Sequence, residues 1–125
     1  MSLNTYLARF SQALEKFEDY GFAEYIDFHQ EIRPGKQAVI NATVVLVNNS
    51  VLYIKEYINA RYKIEIVAYA YQYQTKDGQL IFRYDNAEHK PSLSSKQHKH
   101  VSDNQVITSA LPDIFDLVDE VIECL

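Results

Sequence analysis

The residues best equipped for chemistry lie in one stretch, Arg83-Tyr84-Asp85-Asn86-Ala87-Glu88-His89, followed after a short polar run by His98-Lys99-His100. Three of the four histidines fall within these eighteen residues, beside one arginine, one asparagine and three lysines. Cleavage of an RNA phosphodiester needs a base to take the 2′-hydroxyl proton and an acid to protonate the leaving oxygen. Imidazole serves both roles near neutral pH because its pKa lies there. His98 and His100 suit that pair, with His89 as an alternate member. Charge developing on phosphorus needs cations, for which Arg83 and Lys99 are candidates. Asp85 and Asn86 are the candidate orienting groups, and Asp85 is also placed to pair with Arg83. Exposed tyrosines such as Tyr69, Tyr71 and Tyr73 would stack the bases of a single strand.

Other chemistry fits the same residues. On a strand, His98 and His100 would point the same way, a spacing found in metal sites as well as in acid/base pairs. His89, His98, His100 and Asp85 would supply an open metal site, whereas a closed structural zinc site lacks ligands, since Cys124 is the single cysteine. The plain alternative is a solvated loop between a strand and a helix, with Arg83 and Asp85 as a strand-end salt bridge and the tyrosines as sheet filling. His29, Glu24, Asp27 and Glu31 read as solvated surface. On the acid/base reading no metal or other cofactor is expected.

The whole chain bounds these choices. Its 125 residues are 47% apolar with ten Tyr and six Phe, enough for the core of a single domain over 1–125. A lone cysteine, no long apolar run and an amphipathic start predict a soluble cytoplasmic protein without a membrane segment. The net charge of −5 argues against general nucleic-acid binding. Residues 83–100 nevertheless carry a local +2, leaving −7 for the rest. One small positive district on an acidic body suggests a local anion site.

The elements that must position these residues follow from periodicity. Ser2 or Asn4 caps an N-terminal helix over 1–20, with Leu3, Tyr6, Leu7, Phe10, Leu14 and Phe17 at helical spacing and Gly21 as its stop. Residues 22–33 alternate loosely as an edge strand, and Pro34-Gly35 marks a turn. Alternation then predicts strands from Ala38 to Val47, Val51 to Ile58, Tyr62 to Tyr73 and Leu80 to Asp85, with turns at Asn48-Asn49 and Asp77-Gly78. Residues 22–86 are therefore the sheet and 87–105 a polar histidine-containing loop. Pro112 opens a C-terminal helix over 112–124. The fold class is α+β: an antiparallel sheet of four to five strands with both helices packed on one face and the tyrosines on the other.

The last hairpin decides where Arg83 and Asp85 point. A two-residue turn pairs Arg83 with Gln72 and Tyr71 with Tyr84. A three-residue turn with a glycine bulge sets Arg83 against Tyr71 and Asp85 against Tyr69. A slip by one residue exchanges the faces. The three-residue form is preferred because it joins Arg83 and Asp85 to the tyrosine face.

The run from Tyr69 to Val101 resembles the TumE family of small prokaryotic toxins from toxin–antitoxin pairs. The likeness is carried by the tyrosine-rich strand, the Gly78 turn, Arg83-Tyr84-Asp85-Asn86-Ala87 with His89, and the closing His98-Lys99-His100. Glu88-His89-Lys90 departs from the Pro-His-His expected after the alanine, and Tyr73 and Tyr84 stand where a Trp is often found. The N-terminal helix and residues 22–33 read as an extension. The resemblance implies growth inhibition relieved by a co-encoded antitoxin, a helix-turn-helix protein, and leaves the reaction open. RNA as the target, by metal-independent cleavage, is the inference from the residues. The contrasting expectation is a non-enzymatic module whose Arg83/His98-Lys99-His100 surface binds a partner protein or an anionic ligand. A homodimer through the exposed tyrosine strand is a further expectation.

Overall fold

The computed structural model describes residues 1–87, 97–101 and 106–125. The chain opens with helix α1, Leu3–Asp19. Ser2 is its cap, the hydroxyl accepting the Thr5 amide at 3.1 Å. Tyr20 ends it, and Gly21 takes the left-handed conformation at φ 73°. The Gly21 and Phe22 amides then reach back to the carbonyls of Glu18 and Phe17, which satisfies the last turn. Leu7, Phe10, Leu14 and Phe17 fall on one buried stripe. Complete burial of a side chain such as Phe10 contributes about 2–3 kcal/mol.

Seven strands follow in simple meander order: β1 (Ala23–Arg33), β2 (Gln37–Leu46), β3 (Val51–Asn59), β4 (Glu65–Gln74), β5 (Leu80–Asp85), β6 (His98–Val101) and β7 (Val106–Thr108). Every neighbouring pair is antiparallel. Helix α2, Ile114–Glu123, closes the chain; Asp113 caps it, so Pro112 lies just outside the helix rather than opening it. Among the described residues no helix is long and apolar enough to cross a membrane.

The sheet has one covered and one open face. Ala38, Ile40, Ala42, Val44 and Leu46 of β2 are buried, in register with Leu52, Ile54 and Ile58 of β3. Both helices lie on this side: Tyr6 of α1 bonds Glu56 of β3, and Glu120 of α2 bonds Tyr84 of β5. The helices are also tied to each other by Arg9–Asp113 at 2.6 Å and Lys16–Asp119 at 2.5 Å.

Three expectations are corrected. The sheet has seven strands, not four to five, because part of the supposed polar loop over 87–105 is β6 and Val106–Thr108, just after it, is β7. The histidines of β6 face the open side, so β6 lacks an apolar alternation and is defined by pairing with β5. The tyrosines do not lie on the open face: Tyr69, Tyr71 and Tyr73 are buried against the helices. The hairpin has the pairing expected of the two-residue turn, Arg83 with Gln72 and Tyr71 with Tyr84. The turn itself is longer, with Gly78 at φ 85° and the Gly78 amide on the Thr75 carbonyl. The register shift between Tyr73 and Gln74, opposite Phe82 and Leu80, absorbs the difference.

Candidate functional site

Strand alternation on β5 and β6 sorts the site residues. Arg83 pairs with His100 and Asp85 with His98, all on the open face, while Tyr84 pairs with Lys99 on the covered face. The Asp85 carboxylate is the hub of the open side. His98 Nε2 lies 2.7 Å from Oδ1, His100 Nε2 lies 3.1 Å from Oδ2, and Arg83 Nε donates to Oδ2 at 2.9 Å. The Ala87 amide donates to Oδ1 at 3.1 Å. Arg83 also donates through Nη1 to Gln72 Oε1 at 2.7 Å.

These contacts set the electrostatics. Burial raises the Asp85 carboxyl, but the Arg83 hydrogen bond, the Ala87 amide and the His100 and His98 imidazoles outweigh it and hold the group below the usual carboxylate range. The Asp85 and His98 side chains are only 3% and 2% exposed, while that of His100 is 19% exposed. His100 is thus the imidazole of the pair that meets solvent. A shallow depression of about 410 Å3 runs up to Asp85 over a floor that includes Ala68 and Ala70.

Asp85, His98 and His100 also offer ligand atoms that all lie within 4.8 Å of one another. Two imidazoles and a carboxylate suit a first-row divalent cation. By their donor atoms and spacing these residues fit a metal as well as they fit a proton-transfer site.

Other expected site residues are elsewhere. Lys99 turns to the covered face, where its ammonium lies 2.7 Å from Glu120 Oε2 and over the Phe82 and Tyr84 rings. Asn86 does not orient a histidine among the described residues. Its amide accepts from the Tyr69 amide at 3.1 Å and donates to the Val67 carbonyl at 2.9 Å, closing the β-bulge that interrupts β3–β4 pairing. Tyr71 donates to Glu56, and burial lifts its pKa far above the ordinary value. Tyr69 is pushed up to about 12, first by burial and then by the charge of Asp85, so it stays protonated. These tyrosines are core residues and offer no exposed stacking surface. His89, Glu88 and Lys90 lie outside the described residues.

The open face carries residues that attention to histidines overlooks. Tyr53 and Lys55 of β3 project there, next to Gln72 and Arg83. Their signal was present in the alternation of β3, where Leu52, Ile54 and Ile58 are apolar and Tyr53, Lys55 and Tyr57 are not.

A family model described as Toxin TumE matches residues 11–124. The match includes residues 22–33 and the second half of α1, so these are part of the family's shared region rather than an extension. No curated protein and no solved structure matches the chain.

Proposed function

The chain belongs to the TumE toxin family, and on that premise we propose that it arrests growth by cleaving single-stranded RNA at the Asp85–His100 pair, until a co-encoded helix-turn-helix antitoxin binds it. The observation that supports this reading is the low-pKa Asp85 carboxylate, held between two imidazoles and a guanidinium, with His100 the imidazole that meets solvent. His100 takes the 2′-hydroxyl proton as the 2′-oxygen attacks phosphorus, and Asp85 stabilises the imidazolium that forms. Arg83 turns its remaining N–H donors toward the non-bridging oxygens, where negative charge grows. The imidazolium then protonates the departing 5′-oxygen, leaving a 2′,3′-cyclic phosphate and a 5′-hydroxyl. His98, which is nearly inaccessible, fixes Asp85 and does not touch substrate.

The test is inducible expression in a bacterial host at matched soluble levels. The wild type and Lys99→Met arrest growth, and His100→Ala does not. Equal arrest by all three would remove Asp85–His100 from the toxic mechanism.

A second reading rests on the clustered ligand atoms of Asp85, His98 and His100. A divalent cation held there would activate water or polarise a phosphoryl oxygen. Activity abolished by chelator and restored by one cation favours this reading; activity unchanged in chelator favours proton transfer by His100 alone.

A further inference from the structure

The open face extends well beyond the histidines, and its residues line up across the strands. Register places His100, Arg83, Gln72, Tyr53 and Thr43 in one row crossing β6 to β2. The adjacent row runs from Asp85 through Ala70 and Lys55 to Asn41. Strands lie about 4.8 Å apart, so Tyr53 stands roughly 10 Å from Arg83 along its row.

Depressions follow the same line. One of about 250 Å3 lies among Tyr53, Lys55, Ala70, Gln72 and Arg83. It shares Lys55, Ala70 and Arg83 with the 410 Å3 depression beside Asp85. It shares Tyr53 and Lys55 with a third, of about 160 Å3, that reaches Asn41 and Thr43 and, on β1, Asp27 and His29. Alanines at 68 and 70 keep the floor low, while Tyr53, Lys55 and Arg83 rise around it. The three adjoin one another in a channel that ends at Arg83 and Asp85.

We propose that this channel is the binding track for single-stranded RNA, with Tyr53 as a base-stacking platform and Lys55 as a phosphate contact. The proposal rests on the RNA-cleavage reading of the same face and adds the substrate-binding residues to it. Tyr53 is 41% exposed, so its ring is accessible beside Lys55 and Arg83. Every base presents a π-face, so a single ring of this kind binds without regard to sequence. Lys55 is exposed and makes no ion pair or hydrogen bond among the described residues. Arg83 uses Nε and Nη1 on Asp85 and Gln72, and its Nη2 has no partner among the described residues.

Charge complementarity selects the occupant. Along the track Lys55 and Arg83 stand with the imidazoles of His98 and His100 beside Asp85, which those groups already surround. The far end of the track on β1 carries a second carboxylate, Asp27, which lies 2.7 Å from His29. The acidic residues of the C-terminal segment belong to α2 on the opposite side of the sheet. The middle of the track, between Asp27 and Asp85, therefore presents Lys55 and Arg83 to a phosphate backbone, on a chain whose net charge is −5.

The experiment is fluorescence anisotropy with a labelled 12-nucleotide oligouridine, in the full chain carrying His100→Ala so that the probe stays intact. Adding Lys55→Ala weakens binding about tenfold at low salt and lowers the salt slope by roughly one phosphate contact. Adding Tyr53→Ala weakens binding by about tenfold with the salt slope unchanged, and Tyr53→Phe restores it. Matched thermal unfolding shows whether each variant is folded, and Lys55→Arg is the folded control that retains the cation. Unchanged affinity in the folded Lys55→Ala and Tyr53→Ala proteins overturns the track. So does a shift from dimer to monomer in Tyr53→Ala with RNA affinity unaltered, because the face is then a self-association surface. The two readings fail separately: lost affinity in these variants without any cleavage by the wild type keeps the track and removes the ribonuclease. Cleavage by the wild type with unchanged affinity in the variants does the reverse.

Discussion

Lys99 Nζ lies 2.7 Å from Glu120 Oε2, on the face of the sheet opposite to the two histidines that flank it in sequence. A three-residue motif is thereby divided between two tasks. His98 and His100 gather at Asp85 on the open side, while Lys99 fastens β6 to α2 on the closed side. Burial alone lowers the Lys99 pKa, but Glu120 and the Tyr84 hydroxyl more than offset it, so the ammonium stays charged.

Lys99 is accordingly a structural tie. Lys99→Met retains the hydrocarbon packing on Phe82 and Tyr84 and loses the ion pair, at a cost of about 1 kcal/mol in chemical denaturation. RNA affinity and its salt dependence stay as in the wild type. A fall in the salt slope by one contact would instead identify Lys99 as a phosphate ligand.

Asp85→Asn removes the hub of the open site. It leaves a guanidinium and two imidazoles around a neutral amide, and stability falls by about 3 kcal/mol at neutral pH. The Asp85 carboxyl is held below its ordinary value, so its contribution is present above the unfolded-state pKa of about 4 and is lost as pH falls through the lower folded-state value. The difference between wild type and Asp85→Asn in urea titrations therefore narrows only below about pH 4. A gap that closes near pH 6 would mean that histidine ionisation, not Asp85, dominates.

Glu56 behaves in the opposite sense. It is buried in the core, and burial raises its carboxyl more than the Tyr6 and Tyr71 hydroxyls lower it. A carboxyl raised in the folded state binds more protons there than in the unfolded chain. Stability is then lost as pH rises from the unfolded value near 4 through the folded one. Glu56→Gln removes this penalty, so its stability relative to the wild type increases between pH 4 and pH 7. A constant difference over that range would contradict the assignment.

Tyr6→Phe tests the same cluster from the helix side. The Tyr6 hydroxyl donates to Glu56 Oε1 at 2.5 Å and links α1 to the sheet. Its loss leaves a buried carboxylate with one fewer donor and costs about 2 kcal/mol. Growth arrest by the protein at permissive temperature is unaffected, since Glu56 faces the helices and not the open site.

The helices and strands β2, β3 and β4 were legible because their burial follows a regular period over most of their length. Phe10 and Phe17 recur at helical spacing, and Ile40, Ala42 and Val44 alternate with residues that face outward. Strand β6 was not legible, since its histidines are polar residues partly or wholly buried by contact with Asp85 rather than by apolar packing. Whether Arg83 and Asp85 share a face with the tyrosines of β4 turned on one residue of register at the Gly78 hairpin. That register is settled by a bulge near Leu80 to which composition gives no clue. Asp85, Arg83 and His100 were singled out by residue type, and the pairing of β5 with β6 brings them together. Tyr53 and Lys55 come from a distant strand, and only the pairing of β3 with β4 brings them alongside.

The most direct measurement is the fate of a 5′-labelled single-stranded RNA incubated in chelator with purified wild type, Lys99→Met and His100→Ala. The account predicts cleavage by the first two to fragments ending in a 2′,3′-cyclic phosphate, and a rate about 10²–10⁴ lower for His100→Ala. Intact RNA in all three, or equal cleavage by all three, would contradict it.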